Sequence, residues 1–152
     1  MLLRSTILVC AVAVGTAAAD PQHHWSSHFS SPRFRVDAIA VGPAGDVVIV
    51  GYADAYTDFG NGRVPGSDPD VFAAKFDAFG DLAWARFFPG NYSLQQPRAL
   101  AIDSRGNIVM VGYYTATIDF GGGPMTANNL DVFVAKLDSD GGHRWSRHFS
   151  KV

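Results

Sequence analysis

The chain has 152 residues, a formal net charge of −2 and 47% hydrophobic residues. This length suits one ordinary domain, and 12 basic against 14 acidic residues give no electrostatic support for a nucleic-acid partner. All 14 acidic residues are aspartate, which suits turns and disfavours helix interiors. Together with 16 Gly, 11 Phe and 5 Tyr, this composition predicts an all-β protein with tight turns.

The first 19 residues have the pattern of a secretory signal peptide. Arg4 precedes an apolar run at residues 7–14, and small residues end at Ala19. The run is shorter than the ~20 residues of a membrane span. We therefore predict cleavage after Ala19 and a secreted, periplasmic or cell-surface protein. A lipid anchor at Cys10 is the alternative, but Val9 is large for the position before an acylated cysteine.

Cleavage at this point would also remove the only cysteine of the chain. The mature protein would then have no disulfide, no thiolate nucleophile and no cysteine-based metal site. It would carry 11 basic against 14 acidic residues, a net charge of −3.

The rest of the chain contains an internal repeat. Residues 38–88 align without a gap on residues 99–149, and 22 of the 51 positions are identical. We divide the chain into an N-terminal segment with one orphan strand at Trp25, two repeats, a linker and a tail. The boundaries are 20–35 for the N-terminal segment, 36–88 for repeat 1, 89–96 for the linker loop, 97–149 for repeat 2 and 150–152 for the tail.

The shared positions are predicted to be structural. A residue that both copies need for folding recurs, whereas a catalytic residue would more plausibly occur once. The repeat positions to which we assign a structural role are Gly51, Gly112, Phe59, Phe120, Trp84, Trp145, Phe88 and Phe149.

Each repeat is predicted to form four short strands. In the second repeat they cover residues 99–103, 107–114, 132–138 and 144–149, joined by turns such as "SRGN" and "DSDGG". The central strands "DVVIVGY" and "NIVMVGY" are continuously apolar, so both of their faces require cover. Four-stranded antiparallel sheets that are covered on both faces and repeated along the chain indicate β-propeller blades. A two-sheet sandwich is the alternative, although its strands should be half polar.

The motif "VGY…DFGGG…DVFVAKLDSDG…WSRHF" resembles the bacterial secreted β-propeller repeat known as SBBP. It is more distantly similar to blades of quinoprotein-type propellers. In those blades a tryptophan lies between adjacent blades, and the resemblance implies that role for Trp84 and Trp145. It implies no activity, because the SBBP family has no common catalytic residues. The period of 61 residues exceeds the roughly 40–50 usual for propeller repeats, which we attribute to the long loops at residues 53–69 and 114–130.

About two blades and one extra strand make an incomplete ring, since a propeller needs 4–8 blades. The further blades would come in cis, from a longer protein of which this is the N-terminal part, or from identical chains. The strand count favours a longer protein, because nine strands leave one surplus over two sets of four. The alternative is a small carbohydrate-binding chain that forms a closed propeller as an oligomer.

Two patterns in the sequence resemble metal sites, and each has a simpler interpretation. Asp138 and Asp140 have the D-x-D-G spacing that begins a Ca²⁺-binding loop, but the later acidic ligand is missing, which favours a plain hairpin turn. His23 and His24 lie near the mature N-terminus, but neither is third in the mature chain, where an amino-terminal Cu²⁺ site needs its histidine. We therefore predict no metal and no cofactor.

Other repeated polar residues are predicted to be architectural. Lys75 and Lys136 are expected to form ion pairs with Asp77 and Asp138, two residues further along the same strand face. Asn91 begins an "NYS" glycosylation motif, which matters only in a eukaryotic secretory route.

These observations predict a binding or scaffolding protein rather than an enzyme. The predicted mature chain has no cysteine nucleophile, no glutamate for a carboxylate pair and neither G-x-S-x-G nor H-E-x-x-H. A protein or glycan ligand is expected on the long loops, because loops on rigid scaffolds carry function. A third interpretation is a non-functional remnant or part of a quinoprotein-like enzyme.

Overall fold

The computed structural model describes residues 7–9, 23–29, 33–53, 57–60, 62, 70–90 and 94–150. These residues form twelve strands and no helix, which confirms the all-β prediction. Accordingly, none of them belongs to a helix that could cross a membrane. The strands are β1 (Ile7–Val9), β2 (Ser27–Phe29), β3 (Phe34–Val41), β4 (Val47–Ala53), β5 (Asp70–Phe76), β6 (Leu82–Phe88), β7 (Gln95–Ile102), β8 (Ile108–Tyr114), β9 (Thr117–Ile118), β10 (Met125–Thr126), β11 (Asp131–Leu137) and β12 (His143–Phe149).

Two four-stranded antiparallel sheets make up most of the structure. The first sheet has the order β3-β4-β5-β6, and the second has the order β7-β8-β11-β12. Each strand of the second sheet begins and ends 61 residues after its counterpart in the first. The bulges coincide as well, since the break between Val36 and Ala38 recurs between Pro97 and Ala99. The two halves of the chain therefore have the same topology and register.

Gly51 and Gly112 lie opposite these bulges, in the middle of β4 and β8. A Cβ on Gly51 would overlap the carbonyl oxygen of Arg35, and one on Gly112 would overlap that of Gln96. The bulge pushes one backbone against the next strand, and only glycine leaves room for it.

Apolar packing holds the two sheets together. Val48 and Val50 of the first sheet belong to one buried cluster with Met110 and Phe133 of the second sheet. The other face of the first sheet forms a second cluster, which Phe29 and Trp25 from the N-terminal segment cover. Both faces of the first sheet are thus buried, as its continuously apolar strands require.

The outer face of the second sheet has no such cover among the described residues. Val132 is 44% exposed, whereas the equivalent Val71 is fully buried. The array is therefore open at this end, and the two sheets are consistent with blades of an incomplete propeller.

The largest differences from the predicted strand bounds are at three places. β7 begins at Gln95 within the predicted linker, and β3 begins at Phe34 within the predicted N-terminal segment. Both strands continue to pair with their neighbours on the N-terminal side of the bulge. The apolar pattern alone does not predict this additional pairing. The predicted loop 114–130 also contains the short β9–β10 hairpin. Within the predicted signal peptide, β1 pairs antiparallel with β2.

Candidate functional site

Five aspartates stabilise turns and loops of the two sheets through the same pattern of hydrogen bonds. Each carboxylate Oδ1 accepts hydrogen bonds from the backbone N–H groups two and four residues further on, at 2.7–3.1 Å. The short side chain of aspartate reaches its own backbone at this spacing. This accounts for the use of aspartate, the shorter acidic residue, at these five positions. The five are Asp58, Asp77, Asp103, Asp119 and Asp138.

The D-x-D-G segment at Asp138, which resembles the start of a Ca²⁺-binding loop but is predicted to be a plain hairpin turn, is one of these turns. Asp138 Oδ1 accepts from the N–H groups of Asp140 and Gly142, and the Gly141 N–H bonds to the Asp138 carbonyl. The backbone of Gly142 is the main reason that the pKa of Asp138 is lowered. The carboxylate is therefore engaged by its own turn.

The two N-terminal histidines lie apart from any such network. His23 and His24 are exposed and precede β2. No group of three or more His, Cys, Asp or Glu side chains that could hold a metal ion occurs within the described ranges.

The lysine pairs differ from prediction in their partners. Lys75 Nζ lies 2.9 Å from Asp46 Oδ2, and Lys136 Nζ lies 3.0 Å from Asp103 Oδ2. The predicted partners Asp77 and Asp138 are bound to their own turns, so the lysines reach the turn before the neighbouring strand instead. The prediction of an ion pair at each lysine is right, but the assigned partners are wrong.

Trp84 joins the two sheets through a polar contact. Its indole Nε1 donates to the carbonyl oxygen of Ser139, at 3.0 Å, and Lys75 Nζ donates to the same oxygen at 3.3 Å. The indole also lies over Gly141, where an added Cβ would come within 3.1 Å of the ring. Trp84 and Lys75 of the first sheet therefore hold the β11–β12 turn of the second.

Trp145 occupies the equivalent position in the second sheet but is 41% exposed. It lines a cleft of about 440 Å³ together with Lys136, Asp140, Arg105 and Arg144. An exposed indole beside side chains of both charges can stack on a flat or ring-shaped group while the charges bind its polar edges. This cleft is one candidate binding site in the described structure.

A buried carboxylate at Asp131 is a feature that the sequence did not reveal. Asp131 Oδ2 accepts from Ser150 Oγ at 2.7 Å and from the Asn128 N–H at 3.2 Å, and it lies 3.1 Å from His148 Nδ1. The Ser150 hydroxyl is the largest cause of the lowered pKa of Asp131. Ser150 and His148 both bind the carboxylate rather than each other, so this is not the geometry of a nucleophile with its base.

The neighbouring Tyr114 hydroxyl is buried without a hydrogen-bond partner in the described structure, as is Asp131 Oδ1. Burial, and then the charge of Asp131, raise the pKa of Tyr114. The signal in the sequence is that Tyr114 and His148 replace Ala53 and Phe87 of the first repeat. These replacements place polar groups around a carboxylate that both repeats share.

Acid is expected to destabilise the fold. Asn107 and then Lys136 lower the pKa of Asp103, and the pKa values of Asp131 and Asp138 are lowered as well, all from an ordinary 3.8. Because the folded-state pKa values lie below the unfolded ones, their stabilisation is complete above pH 3.8 and is lost as the pH falls through the lowered values. Urea midpoints should be flat from pH 7 to 5 and fall below pH 4.

The matched control for this titration is the triple variant Asp103→Asn, Asp131→Asn, Asp138→Asn. It should be less stable at pH 7 and show a shallower fall in acid. A midpoint of the wild-type chain that stays constant down to pH 2.5 would contradict the prediction.

The structure describes more of one predicted binding loop than of the other. Most of residues 53–69 lies outside the described residues. In the loop at 114–130, Ile118 and Phe120 are buried, whereas residues 121–124 and 128–130 are exposed. Its apolar half is therefore part of the core, and its tip is free for contacts.

No protein-family model matches the chain, and no curated protein is similar to it.

Proposed function

We propose that this chain is an exported β-propeller repeat protein that acts as a binding or scaffolding platform, as the N-terminal part of a longer propeller. The observation that supports the proposal most strongly is that the residues shared by the two repeats have structural roles. The repeated aspartates fold turns, Lys75 and Trp84 join the sheets, and Phe120 fills the space between them. Residues common to both copies thus build a rigid platform, and a ligand is left to the positions that differ.

The exposed tip of the loop at residues 114–130 is the proposed contact surface. Leu130 is 50% exposed, and the loop is anchored at its base by the buried Ile118 and Phe120. Contact residues on an anchored loop lose little conformational freedom on binding, which favours affinity. The ligand class we propose is a protein or a cell-surface glycan.

Binding can be tested after export of the full chain from a bacterial host. We expect mature protein that begins at Asp20, and retention on cell-envelope material. Leu130→Ser should weaken retention, whereas Val41→Ser, at an equally exposed apolar residue of β3 in the first sheet (53%), should not. Cytoplasmic accumulation with an intact leader, or equal retention of both variants, would contradict the proposal.

A carbohydrate-binding role is the second candidate, and the exposed Trp145 favours it. Sugar rings stack on indole faces, and Asp140 and Arg144 could bind their hydroxyl groups. A glycan array should then give a discrete set of ligands, and Trp145→Ala should abolish their binding. An array without any ligand would exclude this candidate.

A further inference from the structure

At one end of the first sheet, the turns are apolar where those of the second sheet are polar. Five exposed residues there have no polar side chain, and they are Pro43, Ala44, Ala78, Phe79 and Ala83. The residues that align with them 61 positions later are Ser104, Arg105, Ser139, Asp140 and Arg144. The group of five in the first sheet is called the apolar tip below. It belongs to the first repeat alone, at positions that the shared architecture does not fix.

The apolar tip is one continuous surface. A Cβ built on Gly45, in the β3–β4 turn, would lie 3.3 Å from the Cβ of Ala78 in the β5–β6 turn, so the two turns touch. In the second sheet, four of the five aligned residues line a single cleft. Because the two sheets have the same topology and register, the corresponding residues of the first sheet lie side by side in the same way.

Neighbouring sheets leave the apolar tip exposed. Trp25 and Phe29 cover one face of the first sheet, and the second sheet covers the other. Phe79 is nevertheless 83% exposed. Further blades of a propeller would stack on the faces of sheets, whereas the tip lies at the ends of the strands. The exposure of Phe79 therefore does not result from a missing neighbouring blade.

The turn that carries Phe79 satisfies its own backbone. Asp77 Oδ1 accepts from the N–H groups of Phe79 and Asp81, at 2.9 and 3.0 Å, and the Gly80 N–H donates to the Asp77 carbonyl oxygen. A partner can therefore cover this turn without leaving these donors unsatisfied. Affinity would come from apolar burial rather than from hydrogen bonds between these backbone groups and the partner.

The shape and charge of the tip indicate the kind of partner. The Phe79 ring protrudes from a collar of alanine and proline, so it fits a pocket better than a flat surface. Asp77 and the exposed Asp81 flank it along the chain, which favours basic residues around that pocket. A lipid bilayer is a poorer occupant. One phenylalanine buries less apolar surface than a myristoyl chain, which alone binds membranes only marginally.

We propose that the apolar tip binds a protein partner, which receives Phe79 in an apolar pocket with basic residues at its rim. β4 begins beside the tip, and the equivalent β8 ends where the loop at residues 114–130 begins. A strand of seven residues spans about 20 Å, so the tip and that loop lie at opposite ends of the sheets. The chain can then hold two partners at once, which goes beyond the single contact surface of the proposed function.

Site-specific photocrosslinking tests the contact in the organism that produces the chain. With a photoreactive amino acid at Ala44, we expect the full chain to give one discrete adduct with another protein. Phe79→Ala should reduce this adduct at least about tenfold, since a buried aromatic anchor is commonly a hot spot. Leu94→Ala, at a leucine that is 54% exposed at the opposite end of the strands, should leave it unchanged. No adduct, an adduct with lipid or with a second copy, or an adduct that Phe79→Ala does not reduce would overturn the inference.

A defined probe tests the predicted chemistry on the purified chain. β-Cyclodextrin is a ring of sugars whose apolar cavity accepts a phenyl ring, and its amino derivative carries positive charge at the rim. Followed by NMR at the Gly80 amide, the amino form should bind about threefold more tightly than the carboxymethyl form, and Phe79→Ala should abolish both signals. Equal affinities, or signals that survive Phe79→Ala, would also overturn the inference. A Phe79-dependent adduct from a chain that is not retained on envelope material would contradict the proposed function alone.

Discussion

Replacing Phe120 by alanine is expected to lower the free energy of unfolding by about 3–5 kcal/mol. Phe120 is 2% exposed, and its ring centroid lies 5.0 Å from that of Phe88 and 4.8 Å from that of Phe133. Phe88 belongs to the first sheet and Phe133 to the second, so a single side chain fills the space between the sheets. Alanine would leave a cavity there that neither sheet can close without moving.

Chemical denaturation followed by circular dichroism measures this loss. Phe79→Ala is the matched control, because Phe79 is 83% exposed on a turn, and its truncation should change stability by less than about 0.5 kcal/mol. Phe120→Leu should fall between the two. Equal stability of Phe120→Ala and Phe79→Ala would show that the ring does not join the sheets.

The strands of this fold could be predicted well from sequence, because turn and strand residues alternate clearly. The predicted strands at 107–114 and 144–149 differ by one residue at their start from β8 and β12. Apolar runs end at aspartates whose side chains bind the following backbone, so the local chemistry fixes the boundary. Comparison of the two repeats adds a second, independent reading of each boundary.

The polar pairings could not be predicted in the same way. Lys75 and Lys136 are equivalent, but their partners Asp46 and Asp103 are not, since Asp46 aligns with Asn107. Asp46 is the last residue of the turn before β4, whereas Asp103 is the first residue of the equivalent turn before β8. Both carboxylates come within reach of the lysine only after the strands have paired. A spacing rule along one strand cannot find such a partner.

The environment of Asp131 was missed for a related reason. His148 and Ser150 come from the end of β12 and beyond, 17 and 19 residues away in sequence. Asp131 looks the same as Asp70 when the repeats are aligned, and the difference lies in residues that reach it only across the sheet. The candidate cleft at Trp145 likewise follows from the absence of a covering sheet on that face among the described residues, which is a property of packing.

Gly112→Ala is expected to be the most damaging conservative substitution in the second sheet, with a loss at or above the upper end of about 1–3 kcal/mol. The new methyl group would overlap the Gln96 carbonyl oxygen of β7 and lie 2.7 Å from Cζ of Phe133. One obstacle is backbone in a bulge and the other is a fully buried ring. Neither group can move away from the added methyl group, so we expect the substitution to disrupt the pairing of β7 with β8.

The large effect is expected only for a glycine that lies opposite a bulge. Gly122→Ala adds the same methyl group where the nearest atoms belong to the half-buried imidazole of His143, which can turn toward solvent, and it should cost much less. Gly51→Ala should match Gly112→Ala, because the Arg35 carbonyl oxygen occupies the same place in the first sheet. Hydrogen exchange should show the loss of protection concentrated in β7 and β8. If Gly112→Ala is no less stable than Gly122→Ala, the bulged strand does not require glycine opposite it.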